Sequence, residues 1–314
     1  MTHYLVTGGA GFIGSHIAHK LVDEGHDVRV LDDFSTGKRR NIEPFADRCK
    51  IIEGDIRDAA VVEKAVRGVD VVFHEAALAS VPRSINDPAS TNEVNVRGTL
   101  NLLIAAKNNG VKRFVYASSS SAYGDSPRLP KEEQMATNPK SPYAVSKLAG
   151  EMYCLAFSEV YKIPTTSLRY FNVFGPRQDP DSQYAAVIPL FVKTLLEGKR
   201  PVIFGDGEQS RDFTYVDNVV SANLLASRSN LPGGRVYNVA CGTKFTLNSL
   251  YRELNNILDV DIEPVYDPPR PGDVKHSQAS MRAIETDLGY RTLVPFEEAL
   301  RRTVRWYQEA SKSV

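Results

Sequence analysis

The stretch Tyr4-Leu5-Val6-Thr7-Gly8-Gly9-Ala10-Gly11-Phe12-Ile13-Gly14 decides the fold. Its first four residues form a short apolar run that reads as a buried strand. Behind it Ile13, Ile17 and Leu21 recur every four residues, the period of an amphipathic helix, which is expected to end near Gly25. Between strand and helix, Gly8, Gly11 and Gly14 form G-x-x-G-x-x-G. Such a turn lets backbone approach a pyrophosphate, whose charge is stabilised by the N–H groups at the helix N-terminus. Any tight turn needs glycine, so the triplet gains meaning from an acidic residue placed one strand later. Asp32 closes the next apolar run, Val28–Leu31, 18 residues after Gly14, where a carboxylate can accept both ribose hydroxyls of an adenosine. The pattern predicts a dinucleotide site. Asp32 would repel a 2′-phosphate, which favours NAD over NADP; Lys38-Arg39-Arg40 stands on the other side and is read as a solvated basic loop near the adenosine.

Further along, Ile51-Ile52, Val69–Phe73, Phe114–Ala117 and Thr166–Arg169 read as strands, with helical patterns over Asn95–Asn109 and Ser141–Tyr161. Strands alternating with helices imply an α/β fold: a Rossmann-type doubly wound parallel sheet with helices on both faces. After Phe174 the rhythm breaks, and Pro176, Pro180, Pro189, Pro201, Pro264, Pro268, Pro269 and Pro271 crowd into irregular sequence. The expected division is an NAD-binding domain over 1–174 and a smaller mixed α/β substrate lobe over 175–314, with some chain crossing back. The 314 residues are about twice the usual size of one domain.

Lys+Arg and Asp+Glu both number 38, which argues against a nucleic-acid or anionic-lipid partner. No apolar run approaches the ~20 residues of a membrane helix, and no secretory signal pattern is present. Cys49, Cys154 and Cys241 are too scattered for a disulfide framework or a zinc site, so reduced thiols in a cytoplasmic protein are expected. His16 and His19, spaced i, i+3, lack the further ligands a metal needs, and no metal is expected. Phe171 and Phe174 are read as core and pocket lining.

Ser118-Ser119-Ser120-Ser121 follows the Phe114–Ala117 strand at its carboxyl end, where open α/β sheets bind ligands. Downstream lies Tyr143-Ala144-Val145-Ser146-Lys147, which puts Tyr143 and Lys147 at i and i+4 on one helix face behind Pro142. An ammonium beside a phenol favours phenolate, so Lys147 and a nearby NAD⁺ are expected to lower the Tyr143 pKa towards neutrality. The phenolate would then serve as general base on a substrate hydroxyl, with a serine bonded to the same oxygen. Y-x-x-x-K alone is an ordinary helix surface pair. Its conjunction with the glycine turn and the strand-end serines is what points to a catalytic site.

With these pieces in place the chain resembles the extended short-chain dehydrogenase/reductase family over essentially its whole length. The matching segments are Thr7–Gly14, Asp55-Ile56, Asn95, Ser119, Tyr143/Lys147, Arg169–Gly175, Ser210–Phe213 and Arg270–Asp273. Within that family it looks most like the nucleotide-sugar 4-epimerases. Ser80–Ile85 and Arg177–Pro180 are similar to the bacterial UDP-N-acetylglucosamine 4-epimerases. The resemblance implies Ser119, Tyr143 and Lys147 as catalytic residues. It implies cofactor contacts at Gly8, Gly11, Phe12, Ile13, Gly14, Asp32, Asp33, Ser35, Thr36, Gly37, Asp55, Ile56, Ala76, Ala77, Asn95 and Tyr170 besides Tyr143 and Lys147. On the substrate side it implies Arg83, Ser119, Ser120, Ser121, Asn172, Val187, Phe204, Arg211, Arg270, Asp273 and Ser277. Arg211 and Arg270 suit a diphosphate, since guanidinium forks pair with its oxygens. Among the serines, Ser119 aligns with the one that serves the proton.

The implied reaction removes the 4-OH proton through Tyr143 while NAD⁺ takes and later returns the C4 hydrogen, giving a transient 4-keto sugar. The related 4,6-dehydratases carry Thr-Asp-Glu where this chain has Ser119-Ser120-Ser121-Ala122, and the related decarboxylases carry a Glu where Ala122 stands. Without those carboxylates, C4 inversion is the simplest chemistry left. In the resembled family the position four residues after Asp273 walls the sugar pocket near C2, and a bulky Tyr there excludes an N-acetyl group; Ser277 at that position implies UDP-GlcNAc/UDP-GalNAc as expected substrates, with UDP-Glc/UDP-Gal accepted as well. A UDP-uronic acid 4-epimerase, a dehydrogenase that releases NADH, and a non-catalytic NAD sensor on the same fold are the alternatives. The 143–161 helix is apolar on more than one face (Leu148, Met152, Leu155, Ala156), and with the resemblance this favours a homodimer through a helix bundle.

Overall fold

The computed structural model describes residues 2–181, 186–269 and 275–312. The first half of the chain runs β1 (His3–Thr7), α1 (Phe12–Asp23), β2 (Asp27–Asp32), β3 (Lys50–Glu53), α2 (Ala59–Val66), β4 (Val71–His74), α3 (Val81–Asn86), α4 (Pro88–Asn92), α5 (Gly98–Asn108), β5 (Arg113–Ser119), α6 (Pro142–Tyr161) and β6 (Thr165–Tyr170). There follow β7 (Val173–Phe174), α7 (Val187–Leu196), β8 (Val202–Phe204), β9 (Ser210–Arg211), β10 (Thr214–Tyr215), α8 (Val216–Arg228), β11 (Arg235–Val239), β12 (Phe245–Thr246), α9 (Leu247–Leu258), β13 (Val265–Asp267), α10 (Arg282–Leu288) and α11 (Phe296–Lys312).

Seven strands form one parallel sheet in the order β3-β2-β1-β4-β5-β6-β11. The order reverses between β1 and β4, and the crevice outside their carboxyl ends is where such sheets bind ligands. Strand periodicity sorts the side chains onto two faces. Tyr4, Val6, Val28, Val30, Val71, Phe73 and Val115 pack with Ile17 and Leu21 of α1 and Val219 of α8. Leu5, Leu31, Val72, Phe114 and Tyr116 pack on the opposite face with Val62 of α2, Leu102 of α5 and Phe157 of α6. The expected Rossmann-type sheet with helices on both faces is therefore what the chain adopts.

Helix starts follow from local chemistry. Asp58 caps α2 by accepting the N–H groups of Ala60 and Val61, and Ser141 caps α6 through Ala144 N–H with Pro142 in the first turn. The helical pattern over Asn95–Asn109 departs from expectation at its start, where Glu93–Arg97 widens to a π-helical turn before α5. That bulge coincides with the reach of the Asn95 amide across to Leu78.

Most of the irregular second half encloses a separate core of Phe174, Phe191, Phe213, Tyr215, Phe296 and Leu300. It carries three two-stranded pairings, β7–β10, β8–β13 and β9–β12. The chain also returns to the main sheet. α8 packs against α1, and β11 becomes an edge strand beside β6. Among the described residues, no helix is long and apolar enough to cross a membrane.

Candidate active site

The glycine turn is shaped by contacts that a side chain would destroy. Gly8 has φ of +66° and a Cβ there would lie 2.7 Å from Ala76 N, while a Cβ on Gly14 would lie 2.2 Å from the Gly8 carbonyl oxygen. α1 begins at Gly11, which offers no side-chain cap, so the first-turn N–H groups around Phe12 and Ile13 have no side-chain acceptor. Asp32 is only 6% exposed. Its carboxylate accepts the N–H groups of Ala10 and Phe34, both at 2.9 Å. Burial pushes its pKa up and those two bonds oppose the shift. Each oxygen keeps lone pairs for further donors. Asp33 Oδ1 accepts both N–H and Oγ–H of Ser35, which sets the turn into Thr36 and Gly37. An anion cradle with a buried carboxylate beside it fits a dinucleotide.

Two adenine-side expectations change in detail. Asp55 is gripped by Arg57 through Nε and Nη2, which holds its carboxyl below the usual range. Ile56 turns its side chain into the core against Gly98, so only its backbone is left for a ligand. The basic run is held in pairs: Arg39 with Glu53 and over the Phe34 ring, and Lys38 with Asp179 at 3.3 Å.

Beneath the cleft, His74 ties three elements together. Its Nδ1 meets Thr7 Oγ1 and its Nε2 meets Thr99 Oγ1, each at 2.8 Å. Thr99 donates to the Asn95 carbonyl, so it can only accept from the ring; the network assigns Nε2–H and a neutral imidazole. Burial holds the His74 pKa down at about 3. Asn95 spends its amide on both backbone groups of Leu78 and on Ser146 Oγ, joining the segment after β4 to α6. Ala76 N–H donates to Thr7 Oγ1 at 3.3 Å, with Ala77 next in the same segment.

Ser119 and the Tyr143 phenol meet at the carboxyl edge of β5, with Lys147 one turn further along α6. Ser121 Oγ donates to Ser119 Oγ at 2.9 Å, which leaves the Ser119 proton for another acceptor. Ser119 lies beside the Tyr143 phenol, and its hydroxyl lowers the phenol pKa against a burial effect that raises it. Ser120 opens the short 3₁₀ turn Ser120–Tyr123 that follows the strand. Lys147 is 4% exposed, with Nζ over the Tyr116 ring at 4.8 Å. Burial brings the Lys147 pKa down to about 8, and Glu75 opposes the fall. The expectation that Lys147 and NAD⁺ together lower the Tyr143 pKa concerns the loaded site; among the protein's own groups, Ser119 is the one that lowers it. Desolvation dominates at the phenol, and the carboxylate acting on the ammonium is Glu75.

The groups behind this edge are also fixed. Glu151, fully buried, forms an ion pair with Arg169 and accepts Ser118 Oγ–H at 2.8 Å. Tyr143 N–H donates to Ser84 Oγ at 3.0 Å, seating α3 on the start of α6. The sequence reading missed Glu75. The signal was a carboxylate placed straight after the all-buried strand β4, at a ligand-binding sheet edge.

On the other side of the cleft, a cavity of about 280 Å³ is lined by Asn172, Val187, Phe204, Gln209, Arg211 and Phe213, among others. Asn172, at φ of +34°, donates to the Asp212 carbonyl at 3.0 Å and to Ser277 Oγ at 3.1 Å. Four of the expected substrate residues thus line one cavity, and Ser277 joins them through its bond to Asn172. Arg211 Nη1 donates to the carbonyls of Ser210 and Lys275. Arg83 stands exposed on α3, away from these residues in sequence and element. Arg270 and Asp273 lie outside the described residues. His16 meets the Pro176 carbonyl and His19 accepts from Arg177, so both serve packing between α1 and the loop after β7.

The description "NAD dependent epimerase/dehydratase family" matches residues 4–240. The chain is 44% identical to a UDP-N-acetylglucosamine 4-epimerase from Methanobrevibacter ruminantium M1 solved in complex with UDP-N-acetylmuramic acid. That likeness has a TM-score of 0.94 and covers 98% of this chain and 99% of the other. It is 39% identical to a UDP-glucose 4-epimerase of Thermus thermophilus solved with NAD, with a TM-score of 0.90 over 98% of this chain and all of that one. A UDP-glucose 4-epimerase of Mycolicibacterium smegmatis is 37% identical over 98% of this chain and 99% of its own length. A decarboxylase and a 4,6-dehydratase of nucleotide sugars are also relatives, at 32% and 34% identity.

Proposed function

The chain belongs to the NAD dependent epimerase/dehydratase family, and we propose that within it this protein is a UDP-sugar 4-epimerase acting on UDP-GlcNAc and UDP-GalNAc, and also on UDP-Glc and UDP-Gal. The observation that carries the reading is Ser119 beside the Tyr143 phenol, with Lys147 one helical turn further along α6, at a sheet edge where Ser120, Ser121 and Ala122 supply no carboxylate. A dehydratase needs an extra acid/base pair there to expel water from the sugar.

NAD is the family's cofactor, and when bound it accepts a hydrogen with its electron pair from sugar C4 and returns it to the opposite face. Gly8, Gly11 and Gly14 would hold its diphosphate, Asp32 its adenosine ribose and Lys147 its second ribose. Tyr143 takes the proton of the 4-hydroxyl, and Ser119 donates to the same oxygen. The 4-keto sugar turns over while its diphosphate stays held by Arg211, and Tyr143 then gives the proton back. Ser277, small and bonded through its hydroxyl to Asn172, supports room for a C2 N-acetyl group. The relative solved with UDP-N-acetylmuramic acid carries that group on its ligand.

The test is an NMR product assay on UDP-GlcNAc, UDP-Glc and UDP-glucuronate without added NAD. C4 inversion with no free NADH is expected; NADH release, or water loss from the sugar, would sink the reading. Tyr143→Phe should lower kcat by about 10²–10⁴-fold and leave NAD bound. The second copy in a homodimer is proposed to cover the exposed Val145, Met152, Tyr153 and Val160 of α6 with Ile104 of α5. Sedimentation of Met152→Glu as a monomer, against a wild-type dimer, checks it.

A further inference from the structure

The first N–H groups of a helix find no acceptor within it, and at the start of α6 each is accounted for. Pro142 has no N–H to satisfy. Ala144 N–H donates to Ser141 Oγ at 3.1 Å and Val145 N–H to the Ser141 carbonyl at 3.0 Å. That leaves the Tyr143 N–H, which α6 cannot bond by itself. It donates instead to Ser84 Oγ of α3, 59 residues earlier in the chain, at 3.0 Å. Ser84 Oγ–H is spent on the Val81 carbonyl at 2.6 Å, so a lone pair is what the hydroxyl offers to Tyr143. We infer that Ser84 is a positioning residue for Tyr143: from α3 it takes the one first-turn donor that α6 leaves over, and so sets where the phenol stands against Ser119.

α3 is arranged around this bond. Ser84 is its buried residue, at 0% exposure, while Val81 and Ile85 are 39% and 62% exposed. A helix that served packing alone would turn those apolar side chains inward and its hydroxyl out. Ser80 fixes the turn from which the hydroxyl projects. Its Oγ caps the helix through Arg83 N–H at 3.2 Å, and its carbonyl accepts Ser84 N–H at 3.0 Å.

The carbonyl side of Tyr143 is held from the same stretch of chain. Ser146 Oγ donates to the Tyr143 carbonyl at 2.8 Å and accepts Asn95 Nδ2 at 2.9 Å. Asn95 in turn bonds both backbone groups of Leu78. Both backbone groups of Tyr143 therefore trace back to residues 78–84, the stretch that follows β4 and the Ala76 contact with Gly8. A phenol oxygen lies at the far end of its side chain, so a small tilt of the peptide becomes a larger displacement at the reacting atom. Proton transfer is sensitive to such displacement. The grip on the backbone is measurable without substrate; its consequence for turnover rests on the role proposed above for Tyr143.

The experiment is amide hydrogen exchange by NMR on the NAD-loaded protein labelled with ¹⁵N-tyrosine, the Tyr143 signal being assigned by its loss in Tyr143→Phe. It is run on wild type, Ser84→Ala and Ser146→Ala beside kcat, KM and NAD content for UDP-sugar inversion. In Ser84→Ala the Tyr143 amide should exchange about fivefold faster or more. Its kcat should fall about 10–100-fold, with KM and NAD content within about twofold of wild type. Ser146→Ala should act in the same direction by less, because the helix itself still bonds the Tyr143 carbonyl. Unmoved Tyr143 exchange in both variants overturns the grip. Faster exchange with an unchanged kcat overturns its role in turnover, and so does a loss of NAD or a rise in KM in step with the fall in kcat. If wild type inverts no UDP-sugar, the function reading has failed and the exchange still decides the grip. Should Ser84→Ala not fold, Ser146→Ala carries the test by itself.

Discussion

The two halves of the cleft are built from different materials. The half proposed for NAD is main chain: a glycine turn, the first N–H groups of α1 and a carboxylate that is itself held by two backbone bonds. The half proposed for the substrate is a cavity walled by side chains from β7, α7, β8 and β9, with Ser277 brought in from much later in the chain. A main-chain site tolerates nearly any side chain except where one would fill its own backbone space. A side-chain cavity keeps its shape through many substitutions but changes its ligand with one. The difference explains how a family can hold one cofactor constant while its sugars vary.

The sharpest way to break that contrast is at Gly14. An added Cβ would come 2.2 Å from the Gly8 carbonyl, which is backbone and cannot swing aside. Gly14→Ala should therefore displace the start of α1, destabilise the fold by about 1–3 kcal/mol and lower NAD affinity more than about tenfold. Thermal unfolding and the NAD released from denatured protein measure both. A variant that keeps its full complement of NAD would show that the cradle is not what holds the cofactor.

The same contrast governs what could be read from sequence. The NAD half was legible because its parts are local: the turn, the strand before it and the helix after it are contiguous, and Asp32 comes one strand later. Tyr143 and Lys147 were legible for the same reason, being one helical turn apart. Glu75 was not, because its bonding depends on Tyr170 and, through it, on Asn223, which the fold brings together from far apart in sequence. Nor did spacing reveal that Asn95 and the Ile56 side chain would be absorbed into packing. In the substrate half, Asn172 and Ser277 are 105 residues apart and meet only through the fold. Family resemblance named these residues, whereas periodicity could not.

Ser277→Tyr probes the side-chain half. The phenol would enter the space beside Asn172, so turnover of UDP-GlcNAc should fall by about 10–200-fold, the range that one steric change in a pocket provides. UDP-Glc turnover and NAD content should stay near wild type. Parallel kinetics on the two sugars check the split, and an equal loss on both would mean that Ser277 supports the cavity generally instead of selecting at C2.

The smallest effect is expected where the two halves touch. Lys38 in the adenosine loop pairs with Asp179 in the loop after β7, with the two side chains 46% and 30% exposed. An exposed pair of this kind contributes about 1 kcal/mol or less, because water competes for both ends and salt screens the rest. Lys38→Ala should shift Tm by no more than about 2 °C, and any faster release of NAD should disappear in 1 M salt, where screening shortens to about 3 Å. NAD loss from Lys38→Ala as complete as from Gly14→Ala would mean that a side-chain latch, and not the backbone cradle, retains the cofactor. A small, salt-sensitive change instead leaves each half holding its own ligand by its own means.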